Sequence, residues 1–295
     1  MGHYLFILNP ISGNTAKEQL VELIARIAFK YKEEYTLIYT KGKNDENFIL
    51  DYIKLLQPTK VIACGGDGTI NLVATLLMDS KIPLGIVPAG SANGLAVELN
   101  IPSNIEQALH LCFTGKTNAI DALCINKNTY AFHLSDFGFN ASMIKLFEES
   151  EERGMFAYAK AFFKSLKEKN AITSSYTIKA NGEKRNYEAD MVVVANAARY
   201  GTGAVVSPHS KLNDGTFEVV IFKPIPLNAL VNITLSAFMG TIENSPYVEI
   251  IRTDKVKIKV DKAQLFQVDG QILGKLNEVK VNIKKNALNI ICDRS

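Results

Sequence analysis

The chain has 295 residues, longer than the roughly 100–200 of a common single domain, so two domains are the natural expectation. With 47% apolar and 21% charged residues it fills full cores, which excludes a disordered chain. A net charge of +3 is too mild for a dedicated nucleic-acid binder and suits weak attraction to anionic lipid surfaces.

The start, MGHYLFILNP, lacks the basic region and cleavage site of a secretory leader, and Phe6 stands where a myristoylation signal needs Ser or Thr. HYLFILNP reads as a buried strand, AKEQLVELIARIAFKYK as an amphipathic helix, EYTLIYT as a strand and ENFILDYIKLLQ as a helix. KVIACGG, TINLVATLLMD, PLGIVPAG and IEQALHLCFTG continue the strand and helix alternation. Residues 1–125 are therefore expected to form an α/β domain with a mostly parallel sheet covered on both faces, its ligand at the carboxyl ends of the strands. The loops NPISGN, CGGDGT and VPAGSANG would all open on that edge.

Beyond residue 125 the pattern changes to longer strands and hairpins, expected as an antiparallel β-sandwich over 126–295, with a last strand near 286–295 able to return to the first domain. Asn181-Gly182, Asp214-Gly215 and Asp269-Gly270 carry hairpin-turn chemistry. Helical patches are expected at 155–167 and 227–242. The uncharged run 224–242 contains two prolines and two asparagines and reads poorly as a membrane span. Met155, Phe156, Tyr158, Phe162 and Phe163 beside Lys164, Lys167 and Lys169 suit either a membrane-facing or tunnel-gating helix or core packing with a solvated basic face. Lys255, Lys257 and Lys259 alternate as a solvated strand face.

Four widely spaced cysteines, Cys64, Cys112, Cys124 and Cys292, form no C-x-x-C pair, and His3, His110, His133 and His209 show no ligand spacing. Neither a zinc site nor a disulfide framework is expected, and a reducing cytoplasmic setting is the default.

Residues 61–75, VIACGGDGTINLVAT, carry the chemistry. An apolar strand enters Gly65, Gly66, Asp67, Gly68 and Thr69 and then a helix, which makes a phosphate cradle: glycines give left-handed freedom and close approach, and the helix start offers unpaired N–H groups. Asp67 would repel an anion unless a divalent metal bridges the two or the carboxylate accepts a proton from an attacking hydroxyl. Asn9-Pro10 with Ser12-Gly13 is either a capping turn or a second nucleotide loop, and Gly90-Ser91-Ala92-Asn93 is either a helix cap or a nucleotide contact.

Taken in order, N-P-x-S-G, G-G-D-G-T, P-A-G-S-x-N, Asp121, Ser135 to Gly138, Pro208 to Gly215 and Val268-Asp269-Gly270 resemble the diacylglycerol kinase and sphingosine kinase superfamily, in particular its small bacterial lipid kinases. The resemblance implies the fold shared with nicotinamide-nucleotide kinases, an ATP-binding N-terminal domain, a β-sandwich holding lipid in the second, and Mg-ATP-dependent phosphorylation of a lipid hydroxyl. It places nucleotide contacts on Asn9, Ser12, Thr40, Gly65, Gly66, Asp67, Gly68, Thr69, Ile70, Asn71, Ser91 and Asn93, and catalytic roles on Asp67 and on Asp121, near the lipid head group. A structural magnesium would fall on Asp214 with the carbonyls of Lys211 and Thr216, a segment that also reads as an ordinary turn. Peripheral membrane contact and a homodimer are compatible with this reading; nucleic acid is not a partner.

The pattern is broken in places. Bacterial members end the last motif D-G-E, with the glutamate as proton acceptor, where this chain has Gln271, which takes no proton at neutral pH. Gly94, Asn14 and Val97 replace an acidic residue, a basic residue and an arginine. Either Asp67 is the essential base and turnover survives, or the chain is a slow or inactive nucleotide- and lipid-binding homologue.

Overall fold

A computed structural model of the chain describes residues 2–10, 17–90, 92–138, 173–199 and 204–293. The chain divides into two compact units, Met1–Ile120 with Asn286–Ser295, and Asp121–Lys285.

The first unit contains β1 (His3–Leu8), α1 (Lys17–Tyr31), β2 (Glu34–Tyr39), α2 (Asp45–Leu56), β3 (Lys60–Gly65), α3 (Asp67–Leu77), β4 (Leu84–Pro88), α4 (Gly94–Glu98) and α5 (Ile105–Thr114). In its sheet β1 lies between β2 and β3, and β3 pairs with β4, all parallel. The free side of β4 takes the end of β14 (Gln271–Cys292), with Ile290 beside Leu84, also parallel. Every residue of β4 and all but the first of β1 and β3 are buried, as uninterrupted apolar runs require when helices cover both faces of a sheet. Phe6, Ile24, Ile62, Val87, Leu109 and Ile291 pack together in this core.

The second unit is antiparallel. Its strands are β6 (Thr129–Ala131), β7 (Leu134–Phe137), β8 (Ser174–Ala180), β9 (Glu183–Ala189), β10 (Met191–Ala195), β11 (Phe217–Phe222), β12 (Val248–Thr253) and β13 (Lys255–Val268), with α6 (Leu230–Met239) between β11 and β12. The strand β5 (Lys116–Ile125) pairs with β6. β12, β11, β10, β7 and β13 lie side by side. A register break in β13 between Lys259 and Gln264 bends the strand, so its first half pairs with β8 and its second with β7. The layers enclose Phe137, Tyr176, Val194, Phe217, Ile258 and Val281, and a second cluster, including Val193, Val220, Ile233 and Ala237, forms under α6.

Two expected hairpins form with left-handed angles at both turn residues, Asn181 (φ 51°) with Gly182 (81°) and Asp269 (45°) with Gly270 (83°). The third does not: at Asp214-Gly215 only the glycine is left-handed (φ 72°), and the pair sits in the loop entering β11, where the described residues between β10 and β11 form no further named strand. The single helical patch expected over 227–242 is broken, because Gly240 (φ 70°) ends α6 and short 3-10 turns at Leu227–Ala229 and Ile242–Asn244 flank it. The patch expected at 155–167 lies outside the described residues. Among those described, no helix is long and apolar enough to cross a membrane.

Candidate active site

Parallel pairing brings the ends of the first unit's strands to one edge. Asn9 N donates to the carbonyl of Cys64 (3.0 Å), Thr40 N to that of Leu8 (2.9 Å) and Ala89 N to that of Gly65 (2.9 Å), so the residues leaving β1, β2 and β4 are each tied to a neighbouring strand. Asn9 Nδ2 donates to Thr69 Oγ1 (3.2 Å), joining the first loop to the first turn of α3. A cavity of about 480 Å³ opens here, lined by Asn9, Thr40, Gly66, Gly68 and Thr69 among others. Four of its lining residues, Lys41, Gly42, Asp45 and Leu72, were not singled out from the sequence. Asp45 accepts from the N–H groups of Lys41 (2.7 Å) and Gly42 (2.8 Å), and the Lys41 ammonium lies 4.4 Å from the centre of the Phe48 ring. The pattern K-G-x-x-D after β2 was the available signal, but it reads as an ordinary turn and helix cap.

The glycines serve close approach. Gly65, Gly66 and Gly68 are not left-handed, contrary to expectation. A Cβ on Gly65 would lie 2.5 Å from Thr69 Oγ1, and one on Gly90 would lie 2.5 Å from the Cα of Gly66, so the loop after β3 and the loop after β4 touch backbone to backbone. Gly66 is the N-cap of α3 and has no side chain to satisfy the helix start; its carbonyl takes the N–H groups of Thr69 and Ile70, both at 3.0 Å. The amides of a helix's first turn have no partner further back in the helix and point outward.

Asp67 sits in that first turn between two cavity-lining glycines, yet its carboxylate reaches the start of α4, where Gly94 N donates to Oδ1 at 2.7 Å. Burial pushes the Asp67 carboxyl above its ordinary value, and the amides of Gly94, Asn93 and Leu95 pull against that rise. Gly94, which replaces an acidic residue of the family pattern, thus contributes its backbone to the carboxylate. Both ends of the Asn93 side chain are bound to Gly90, Oδ1 accepting from its N–H (2.9 Å) and Nδ2 donating to its carbonyl (2.8 Å), so this amide closes the loop. Ile70 is buried within α3 and Asn71 follows it. Ser12 and Ser91 lie outside the described residues.

In the second unit Asp121 is 1% exposed. Its Oδ2 accepts from Gly215 N (2.7 Å) and its own N–H donates to the Leu212 carbonyl (2.6 Å), which binds the loop before β11. Asp214 Oδ1 accepts from Thr216 N (3.0 Å) and Thr216 Oγ1 (2.7 Å), while Oδ2 accepts from Arg252 Nη2 (2.7 Å). With both oxygens taken and a guanidinium supplying the positive charge, Lys211, Asp214 and Thr216 as arranged do not fit a divalent cation, which demands stripped oxygens and repels a neighbouring cation. Among the described residues no group of three or more His, Cys, Asp or Glu side chains is placed to hold a metal ion. Asp269 accepts from three successive amides, Phe132 (2.9 Å), His133 (3.1 Å) and Leu134 (3.0 Å), and so anchors the β13–β14 turn. Gln271 is exposed just past that turn, paired in register with Val268.

Residues 3–125 match the diacylglycerol kinase catalytic domain, and residues 135–292 match the YegS C-terminal NAD kinase beta sandwich-like domain. A protein of Enterobacter sp. (strain 638) named "Probable lipid kinase YegS-like" is 28% identical over 296 residues, spanning 97% of this chain and 94% of that one. One of the same name from Yersinia pestis (strain Pestoides F) is 30% identical over 226 residues, 74% of each chain. A crystal structure of a diacylglycerol kinase from Bacillus anthracis str. Sterne shares the fold, with a TM-score of 0.77 at 18% identity over 99% of this chain and 97% of that one. With a catalytic-domain match on the α/β half and a YegS-type match on the antiparallel half, the chain belongs to the diacylglycerol kinase superfamily of lipid kinases.

Proposed function

We propose that the protein transfers the γ-phosphate of ATP to a hydroxyl of a diacylglycerol- or sphingoid-type lipid. The observation that carries this reading is the cavity at the strand ends of the first unit, lined by Gly66 and Gly68 at the start of α3, the end of a helix that favours an anion. Asn9, Thr40 and Thr69 give polar contacts on its walls, and Gly65 allows the close packing of Thr69. Asp67 is the carboxylate at this site that would help hold the magnesium accompanying the nucleotide, by giving up amide contacts such as that to Gly94, and the ion would neutralise charge on the transferred group. Asp67 orients or deprotonates the acceptor hydroxyl; a carboxyl pushed up by burial is a better match to proton transfer near neutrality than an ordinary one. The second unit holds the lipid, Asp121 braces its 212–215 loop, and access to substrate is by peripheral contact with a membrane.

A second reading, a nucleotide- and lipid-binding homologue with slow or no turnover, is favoured by one observation: an exposed amide, Gln271, where the family pattern has its proton acceptor. Incubation with Mg-ATP and a panel of diacylglycerol, sphingoid base, ceramide and phosphatidylglycerol in mixed micelles separates the two. A phosphorylated lipid supports the kinase. ATP binding with no product, together with turnover appearing in Gln271→Glu, supports the second reading.

A further inference from the structure

Arg252 on β12 lies cross-strand from Glu218 on β11 and reaches over the loop that precedes β11. Its Nη2 donates to Asp214 Oδ2 (2.7 Å), its Nε donates to Thr216 Oγ1 (2.8 Å), and the same Nε lies 3.8 Å from Glu218 Oε1. Glu218 is 2% exposed and, among the described residues, its Oε1 meets no hydrogen-bond donor; the other oxygen accepts from Ser210 Oγ. Two carboxylates therefore converge on one guanidinium, whose charge is permanent and whose donors are fixed in a plane. The loop so held contains Gly215, whose N–H is bound to the buried Asp121.

We infer that Arg252 does in this chain what a bound divalent cation would do at such a loop: its guanidinium neutralises Asp214 and Glu218 and orders residues 212–216 against Asp121 without metal. A guanidinium and a metal ion compete for the same oxygens and repel one another, so the loop accepts one of them. The inference is independent of the phosphoryl transfer proposed above; a chain that phosphorylated nothing would still carry it.

The test uses the full chain free of nucleotide. The wild-type melting temperature is expected to be the same in EDTA and in millimolar Mg²⁺, and Mn²⁺ followed by electron paramagnetic resonance is expected to find no site that Asp214→Asn removes. Arg252→Gln should melt about 2–4 °C lower, bind one Mn²⁺ and recover its stability with the ion, and Arg252→Gln combined with Asp214→Asn should lose that recovery. Arg252→Lys keeps the charge without the planar donors; it should melt between the two and bind no ion, and it carries the test if Arg252→Gln fails to fold. The inference is overturned if the wild-type chain binds an Mn²⁺ ion that Asp214→Asn abolishes, or if Arg252→Gln neither loses stability nor gains the ion.

Discussion

Asp67 is the residue on which the proposed chemistry turns. Asp67→Asn keeps an oxygen for the Gly94 amide but removes the proton acceptor, so kcat should fall by about 10²–10⁴-fold with ATP affinity little changed; a matching fall in ATP affinity would assign Asp67 to binding instead. Because burial raises this carboxyl, the folded chain holds the proton more tightly than the unfolded one. The stability it contributes therefore declines as pH rises from the unfolded carboxylate range through the folded value and is flat above. Asp67→Asn should remove that slope in urea titrations and melt no lower than wild type at neutral pH. His133 works in the opposite sense. Burial lowers its ring to about 4, opposed by a hydrogen bond to the backbone of Arg199. The unfolded chain takes up the proton first, so stability is complete above about pH 6.5 and falls as pH drops toward 4, by up to roughly 3 kcal/mol. His133→Gln should flatten that window if it folds. At this scale the position of Asp67, among glycines where a strand meets a helix, was legible in the motif. Its partner was not, because Gly94 is far away in sequence and contributes only a backbone amide. Asp45 was missed for a related reason, since its carboxylate binds only the backbone amides of Lys41 and Gly42 in the loop before α2, contacts that no residue type announces.

The elements at the cavity are set by how closely two loops approach. In Gly90→Ala the new Cβ would meet the Cα of Gly66 at 2.5 Å, a backbone atom that does not yield. This variant should lose about 1–3 kcal/mol of stability and most of its nucleotide binding, measured together by urea melts and calorimetry. Gly85→Ala is the comparison: its Cβ would meet Ile62 Cδ1 (2.5 Å) and Cys112 Sγ (2.8 Å) inside the core, so it should cost stability while sparing ATP affinity in the folded fraction. Periodicity gave β1 to β4 and α1 to α3 nearly in place because each is a long apolar or amphipathic run. It failed at Asp214-Gly215, where the same dipeptide that turns a hairpin serves a loop held by Asp121 and Arg252. It also failed to see that α3 begins at Asp67, two residues before the expected start, because the motif's own residues form the first helical turn.

At the scale of the whole chain, the second unit is inserted into the first, which resumes at Asn286. The resumed segment pairs through Ile290 with Leu84 and buries Ala287, Leu288, Ile290, Ile291 and Cys292. Removing Leu288, Ile290 and Ile291 from the core alone costs roughly 5–9 kcal/mol, comparable to the entire stability of a domain. A chain stopped after Lys285 should therefore show an unfolded first unit by hydrogen exchange and no ATP binding, although every residue of the cavity is present. That the sequence changes texture midway was plain from its turns and long strands; which half owned the final strand was left open, because an apolar strand at a chain end carries no mark of its neighbour. The insertion also sets an order in time. A ribosome releases the glycine loops early, but the sheet that supports them lacks a strand until residue 292 has cleared the exit tunnel, so a nascent or truncated chain without residues 286–292 should bind no nucleotide.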